Sequence, residues 1–177
     1  MMEITMKFLL PLILVFSINV QAQNGRLIPN PIRNIPRWVR SEFAAQQFNQ
    51  RYEITYQLYP SSLKGDFNGD GKTDVAILVS EKATGKLGIA IIHGKQAQAF
   101  KNRIVILGAG KPLGTAGDDF KWMSLWSILK DKKLLSQNER LHLPQLHGSA
   151  IRAQKRDDGP GLIFWGGNKY EWAQLGQ

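Results

Sequence analysis

An acidic loop in the first half of the chain combines residue types and spacing that suit a metal ion. Asp66, Asn68 and Asp70 place side-chain oxygens at alternate positions, and a further carboxylate follows at Asp74. Calcium takes about six to eight oxygen ligands, and a tight turn that alternates Asp and Asn aims several oxygens at one point. The backbone carbonyl of Lys72 would add another ligand. The spacing therefore predicts a Ca²⁺ site formed by Asp66, Asn68, Asp70, Lys72 and Asp74.

The loop differs from an EF-hand in two respects. Its twelfth position is Ile77, where an EF-hand requires a glutamate that binds calcium through both oxygens. A predicted strand follows at residues 74–79, where an EF-hand has a helix. Gly71 still allows the sharp bend that such a loop needs. We therefore expect a calcium loop that leads into a strand.

The segment Gly-Asp-Phe-Asn-Gly-Asp-Gly-Lys-Thr-Asp-Val-Ala, residues 65–76, resembles the calcium loop of FG-GAP and VCBS-type repeats. In integrin-like β-propellers such loops bind Ca²⁺ between two strands. The resemblance implies the same five ligands, four through side chains and Lys72 through its carbonyl. The match is short and occurs once, whereas a propeller repeats its blades, so a propeller fold is not implied. As a whole, the chain resembles small exported bacterial proteins.

A purely structural interpretation of the same loop stays open. Asp and Asn side chains bond to backbone N–H groups two residues further along and so form Asx-turns. Asp66, Asn68 and Asp70 would then shape a β-connection, and Asp74 would pair with Lys72 or another cation. The formal net charge of +9 also argues for modest Ca²⁺ affinity. We expect a bound ion to order the turn, since no nucleophile and base lie nearby as a pair.

The N-terminus, residues 1–22, has the features of a secretory signal peptide. Residues 8–20 are almost entirely apolar and follow the cationic Lys7, and cleavage is predicted after Ala22. The apolar run is shorter than the ~20 residues that a membrane-spanning helix needs. The sequence contains no Cys, which excludes both a disulfide framework and a lipid-modified cysteine. We expect a periplasmic or secreted protein without a stable membrane anchor after cleavage.

The charge of the chain is basic but dispersed. Lys and Arg number 23 against 14 Asp and Glu. A basic exported protein can attract anionic lipid, acidic polysaccharide or nucleic acid. The densest clusters, at residues 130–133 and 152–156, are short and mixed with acidic residues, which is typical of a solvated surface. We therefore expect a protein or polysaccharide ligand and no nucleic acid partner.

The hydrophobic pattern predicts a helix followed by many short strands. Residues 23–35 are rich in Pro and Asn and are expected to be extended. A helix is predicted from residue 36 to about residue 49, since Ile35, Val39 and Phe43 recur at helical spacing. Strands are predicted at residues 52–58, 74–79, 87–93, 103–107, 120–128, 149–154, 161–165 and 170–174. This order predicts an α+β fold in which one N-terminal helix precedes a largely antiparallel β-sheet, as a single domain over residues 36–177.

The last two predicted strands are expected to form a hairpin. Gly166 and Gly167 lie between them, and glycine accepts the positive φ of a tight turn at little cost. Alternation places Ile163 and Trp165 on one face of the strand and Phe164 on the other.

Two functions are consistent with these features. The first is a non-enzymatic exported domain with a structural calcium loop, which acts by binding or interaction; it has no catalytic residues. The alternative is an exported hydrolase acting on polysaccharide, with Asp118 or Asp119 as one catalytic carboxylate and Trp122 or Trp126 stacking on a sugar. Tryptophans at strand positions more often pack in a core, which favours the first function.

The predicted leader gives a testable outcome. Expression with the native leader in a Gram-negative host should release a mature chain that begins at Gln23, because signal peptidase cuts after a small residue such as Ala22. N-terminal sequencing of the released protein measures this. A membrane-bound product that keeps Met1 would contradict export and release.

Overall fold

The chain forms a mostly-β α+β fold with two antiparallel sheets. The structure is a computed structural model that describes residues 35–94, 103–131, 133, 135–137, 145–155 and 159–175. The predicted signal peptide, its cleavage site after Ala22 and the predicted extended segment up to residue 34 lie outside the described residues.

Two helical segments precede the strands, α1 over Arg37–Ala45 and α2 over Phe48–Arg51. The main helix therefore ends before residue 49, where the sequence predicts its end. Gln47 separates the two segments with a left-handed backbone (φ 51°), which interrupts the helical path. Val39 and Phe43 are buried on α1, as their spacing predicts. Within the described residues, neither helix is long and apolar enough to cross a membrane.

The first sheet contains five strands: β1 (Tyr52–Ile54), β2 (Ser62–Gly65), β3 (Asp74–Glu81), β4 (Leu87–Ile92) and β5 (Ile104–Gly108). Its order is β1, β3, β4 and β5, and β2 also pairs with β3. Every pairing is antiparallel. β1 and β2 thus share one edge of β3.

The second sheet contains four strands: β6 (Met123–Leu129), β7 (Ala150–Lys155), β8 (Pro160–Trp165) and β9 (Tyr170–Gln174). They lie side by side in chain order, and each pair is antiparallel. The prediction of antiparallel pairing is confirmed, while the strands divide between two sheets.

Two predicted strands need correction, and one strand is missed by the sequence pattern. β1 ends at Ile54 and does not continue to residue 58, because β2 occupies the rest of the same edge of β3. The sequence pattern does not predict β2, since Leu63 is its single apolar residue and a strand this short shows no alternation. Phe120–Trp122 form a 3-10 turn before β6, so Trp122 does not lie on a strand.

The first sheet is buried on both faces. On its inner face, Ile89 belongs to a cluster with Ile163 of the second sheet. On its outer face, Ile77 packs with Phe43 of α1. Every residue of β3 is therefore buried. A strand covered on both sides has no polar face, which explains why the sequence is a continuous apolar run at residues 75–79.

β3 ends at a buried carboxylate, that of Glu81. Its Oε1 accepts hydrogen bonds from Arg51 Nε (2.9 Å) and Nη2 (2.7 Å), and its Oε2 accepts one from the Thr84 hydroxyl (2.8 Å). The bond from Arg51, followed by that from Thr84, lowers the pKa of Glu81. The ionised carboxylate therefore ties the end of α2 to the end of β3.

The predicted C-terminal hairpin is confirmed. β8 and β9 pair antiparallel, and Trp165 lies opposite Tyr170 on either side of the turn. Ile163 belongs to the cluster between the sheets and Trp165 packs against it. Phe164 lies on the opposite face, in a separate cluster with Leu175.

Replacement of Phe43 tests the packing of α1 on the first sheet. Phe43→Ala should lower the free energy of unfolding by about 3–5 kcal/mol, because it leaves a cavity beneath the helix. Arg40 is exposed on the same helix, so Arg40→Ala should change that free energy by less than about 0.5 kcal/mol. Urea denaturation followed by circular dichroism measures both. Equal stability of the two variants would show that α1 does not cover the sheet.

Candidate metal site

The predicted calcium loop lies where the two sheets meet. The paired ends of β2 and β3 make residues 66–73 a hairpin loop. The carbonyl of Asp66 accepts a 2.6 Å hydrogen bond from the N–H of Ser149, directly before β7. The backbones are also close at Gly69, where a Cβ would lie 2.1 Å from the carbonyl oxygen of His147. A side chain at position 69 would therefore clash with the backbone of the segment that leads into β7.

Asp66 is the central acceptor of the loop. Its Oδ1 accepts hydrogen bonds from the N–H groups of Gly69 (2.7 Å) and Asp70 (3.0 Å), and its Oδ2 accepts one from Gly71 (2.8 Å). Three successive N–H groups thus converge on one carboxylate. Gly69 (φ 77°) and Gly71 (φ 79°) supply the left-handed backbone that the bend requires.

Asn68 and Asp70 each form an Asx-turn. Asn68 Oδ1 accepts a hydrogen bond from the N–H of Asp70 (3.3 Å), and Asp70 Oδ1 accepts one from the N–H of Lys72 (2.7 Å). Asn68 Nδ2 also donates to Asp70 Oδ2 (3.0 Å). Asn68 is buried, Asp70 is half-buried and Lys72 is exposed. The side chains of the loop therefore bond to its own backbone, as the purely structural interpretation requires.

Asp74 is fully buried at the start of β3. Its Oδ2 accepts a hydrogen bond from the N–H of Phe67 (2.8 Å), and its Oδ1 accepts one from the N–H of Gly94 (2.9 Å). His93 Nδ1 lies 3.4 Å from Oδ2. The sequence suggests that Asp74 pairs with Lys72 or with another basic group. In the structure the basic side chain beside Asp74 is that of His93, and the exposed Lys72 forms no ion pair with Asp74.

In the described part of the chain, the carboxylates of the loop, those of Asp66, Asp70 and Asp74, form no ion pair with a Lys or Arg side chain. The chain has a net charge of +9, with 23 Lys and Arg residues against 14 Asp and Glu residues, so basic side chains are plentiful elsewhere. Three negative charges therefore stand within nine positions of the sequence without a Lys or Arg partner in the described part of the chain.

The donor set has the chemistry of a hard-cation site. A carboxylate offers about four lone-pair sites, and Asp70 and Asp74 each accept two hydrogen bonds, which leaves about half of their sites open. Within the described ranges, no group of three or more Asp, Glu, His or Cys side chains is arranged to hold a metal ion. The oxygens are of the right kind for Ca²⁺, and they face backbone N–H groups.

Two aromatic side chains approach the loop from the core. The rings of His93 and Tyr170 stack at 5.9 Å with an angle of 10° between their planes. Trp165 meets both rings edge-on, at 6.2 Å from His93 and 5.0 Å from Tyr170. His93 has no exposed surface and Tyr170 is 6% exposed. Asp74 therefore adjoins a packed aromatic cluster and not solvent.

The sequence identifies the loop but not this cluster. The five predicted ligands lie in the β2–β3 loop and at the first residue of β3. No local pattern marks Tyr170, which begins β9, or His93, which is fully buried, as part of a site. Of the other histidines, His147 is exposed and His142 lies outside the described residues. A comparison of the chain with protein-family models, with curated proteins and with solved structures finds no match.

The two carboxylates of the hydrolase alternative, Asp118 and Asp119, form hydrogen bonds within the fold. Asp118 bonds to Lys86 Nζ. Burial raises the pKa of Asp119, but the N–H groups of Leu87 (3.0 Å) and Lys121 (3.2 Å) outweigh it and lower the pKa overall. A glycosidase acid needs a raised pKa, so the lowered pKa does not favour Asp119 as the acid of a carboxylate pair.

The tryptophans of that alternative are structural as well. Trp126 as a sugar-stacking wall is wrong, because it is 4% exposed and its Nε1 donates to the carbonyl of Pro60 (2.8 Å). Trp122 is half-buried, and its Nε1 donates to the carbonyl of Ala116 (3.0 Å). Its ring packs edge-on against Trp172. These contacts account for both side chains through packing.

Replacement of Asp74 tests how the loop is held without metal. In EDTA, Asp74→Ala should lower the free energy of unfolding by about 3 kcal/mol or more, because it leaves two buried N–H groups unpaired at about 1–3 kcal/mol each. Asp70→Ala removes a half-buried carboxylate and should cost about 1 kcal/mol. Urea denaturation gives both values. A larger loss for Asp70→Ala would contradict the central position of Asp74.

Proposed function

We propose that this protein is an exported, non-enzymatic domain that binds Ca²⁺ in the loop of residues 66–74 and acts by binding a protein or polysaccharide ligand. The observation that carries the proposal is the set of three loop carboxylates that no described Lys or Arg neutralises. A divalent cation would supply the missing positive charge. The export part rests on the signal-peptide pattern of the N-terminus.

The composition of the loop supports Ca²⁺ over other ions. Asp66, Asn68, Asp70 and Asp74 provide hard oxygen ligands, and Lys72 provides a carbonyl oxygen. No Cys occurs in the sequence, so the thiolates that favour zinc are missing. The resemblance to the FG-GAP and VCBS-type calcium loop assigns the same five residues. An ion would share the carboxylate oxygens with the backbone N–H groups that now contact them.

The position of the loop supports a structural role for the ion. Its backbone contacts the segment that enters β7 in the second sheet, through the 2.6 Å bond from Ser149 to Asp66. Phe67, inside the loop, is 1% exposed and belongs to the cluster between the sheets. Ordering the loop would therefore stabilise the contact between the sheets. We therefore propose that the ion has a role in stability.

Exposed aromatic side chains support the binding role. Tyr59 is 92% exposed and Tyr56 is 43% exposed, in the connection between β1 and β2. Tyrosine is enriched at recognition surfaces because its ring offers a large contact area and its hydroxyl a hydrogen bond. The contacts of Asp119 and Trp126 do not favour the hydrolase, so binding is the function that we propose.

Calcium should raise the thermal midpoint of the mature protein. An ion that binds the folded loop and not the unfolded chain stabilises by RT ln(1 + [L]/Kd), about 2.7 kcal/mol at 100 times Kd, which corresponds to a shift of several degrees. Mg²⁺ should have a smaller effect, because its small, near-octahedral shell fits a crowded carboxylate loop poorly. Differential scanning calorimetry in EDTA, CaCl₂ and MgCl₂ measures the shifts.

Two substitutions that each remove one carboxylate serve as test and control. Asp70→Ala should abolish the calcium response, since it removes a central ligand. Glu53→Ala removes one exposed carboxylate from β1 and should leave the response intact. Titration calorimetry up to ~10 mM Ca²⁺ covers the affinities of extracellular modules. If the unaltered protein shows neither heat nor a shifted midpoint over that range, the loop is a turn and the proposed calcium site is wrong.

A further inference from the structure

The hydroxyl of Tyr170 is a buried donor without a partner among the described residues. Tyr170 begins β9 in the second sheet, and the residue is 6% exposed. A phenol O–H that gives up water normally finds another acceptor, because leaving it unpaired in the core is costly. The acidic groups whose charge acts on this hydroxyl are the loop carboxylates of Asp74, Asp66 and Asp70.

Three observations connect Tyr170 with the loop. Its ring stacks on His93, whose Nδ1 lies 3.4 Å from Asp74 Oδ2. Burial raises the pKa of the hydroxyl, and the negative charges of Asp74, Asp66 and Asp70 raise it further. The hydroxyl therefore stays neutral and keeps the proton that it can donate. It also shares the cluster between the sheets with Phe67, which lies within the loop itself.

We propose that Tyr170 is a positioning residue of the calcium site, whose hydroxyl donates its hydrogen bond to a loop carboxylate when Ca²⁺ occupies the loop. This inference rests on the proposed calcium function and adds to it a residue from the other sheet, about one hundred positions later in the chain. The ion would compete with backbone N–H groups for the carboxylate oxygens. A phenol can then orient a ligand oxygen and adds no positive charge to repel the ion.

The consequence is a direct link between the ion and the C-terminal hairpin. The loop belongs to the first sheet, and Tyr170 lies opposite Trp165 at the turn of the β8–β9 hairpin in the second. Calcium affinity should therefore depend on a hydroxyl that is neither in the loop nor next to it in sequence. A residue that merely fills space there would influence stability and leave affinity unchanged.

Tyr170→Phe isolates the hydroxyl, because the ring and its stacking are kept. Titration of CaCl₂ into the mature protein should show a dissociation constant about 10-fold or more higher for this variant, the loss expected when an outer-shell donor is removed from a metal site. Tyr52→Phe is the matched control: Tyr52 is 7% exposed, and it lies in the cluster on the opposite face of the first sheet. Its dissociation constant should change by less than about twofold.

A second measurement separates positioning from packing. In EDTA, the thermal midpoint of Tyr170→Phe should equal or exceed that of the unaltered protein, because the variant removes a buried donor that has no partner in the described structure. A clearly lower midpoint would show that the hydroxyl already makes a bond without the ion, which overturns the inference. Unchanged calcium affinity of Tyr170→Phe, beside measurable binding by the unaltered protein, overturns it too and leaves the calcium loop standing. Absence of binding by the unaltered protein removes both.

Discussion

The buried carboxylate of Asp74 is the interaction on which the arrangement of the loop depends. It has no exposed surface, and it accepts hydrogen bonds from Phe67, at the start of the loop, and from Gly94, just beyond β4. A carboxylate that is buried away from water needs such hydrogen-bond partners, because a polar group without them is costly in the core. One side chain thus fixes the loop entrance, the first residue of β3 and the end of β4. The hydrogen bonds of Asp66 then shape the loop between these fixed points.

The loop connects two sheets that pack mainly through apolar side chains. Asp66 gathers three loop N–H groups with its side chain, while its carbonyl accepts from Ser149 before β7. Apolar contacts do not select a direction, whereas these hydrogen bonds do. The loop therefore sets how the sheets meet at this end. A cation bound there would strengthen that geometry and would not be needed to create it.

The sequence predicts regular features here better than exceptions. The β8–β9 hairpin follows from Gly166 and Gly167 between alternating strands, and α1 follows from the spacing of Val39 and Phe43. β2 escapes prediction because pairing with β3, not its own pattern, makes it a strand. The loop residues are identifiable because Asp and Asn alternate locally. Tyr170 is not, since its neighbours in space come from strands far away in the chain, and local patterns carry no such information.

The burial of β3 on both faces has a consequence for how its neighbours find their alignment. In a strand with one polar face, sliding by one position would expose the apolar side chains, and that penalty specifies the pairing. Residues 75–79 are apolar at every position, so a slip would bury nearly the same surface. The pairing register of β3 must therefore be specified at the two ends of the strand. Asp74 bonds to Phe67 and Gly94 at one end, and Glu81 bonds to Arg51 at the other. Two buried carboxylates, one at each end of β3, thus fix its register relative to the neighbouring strands.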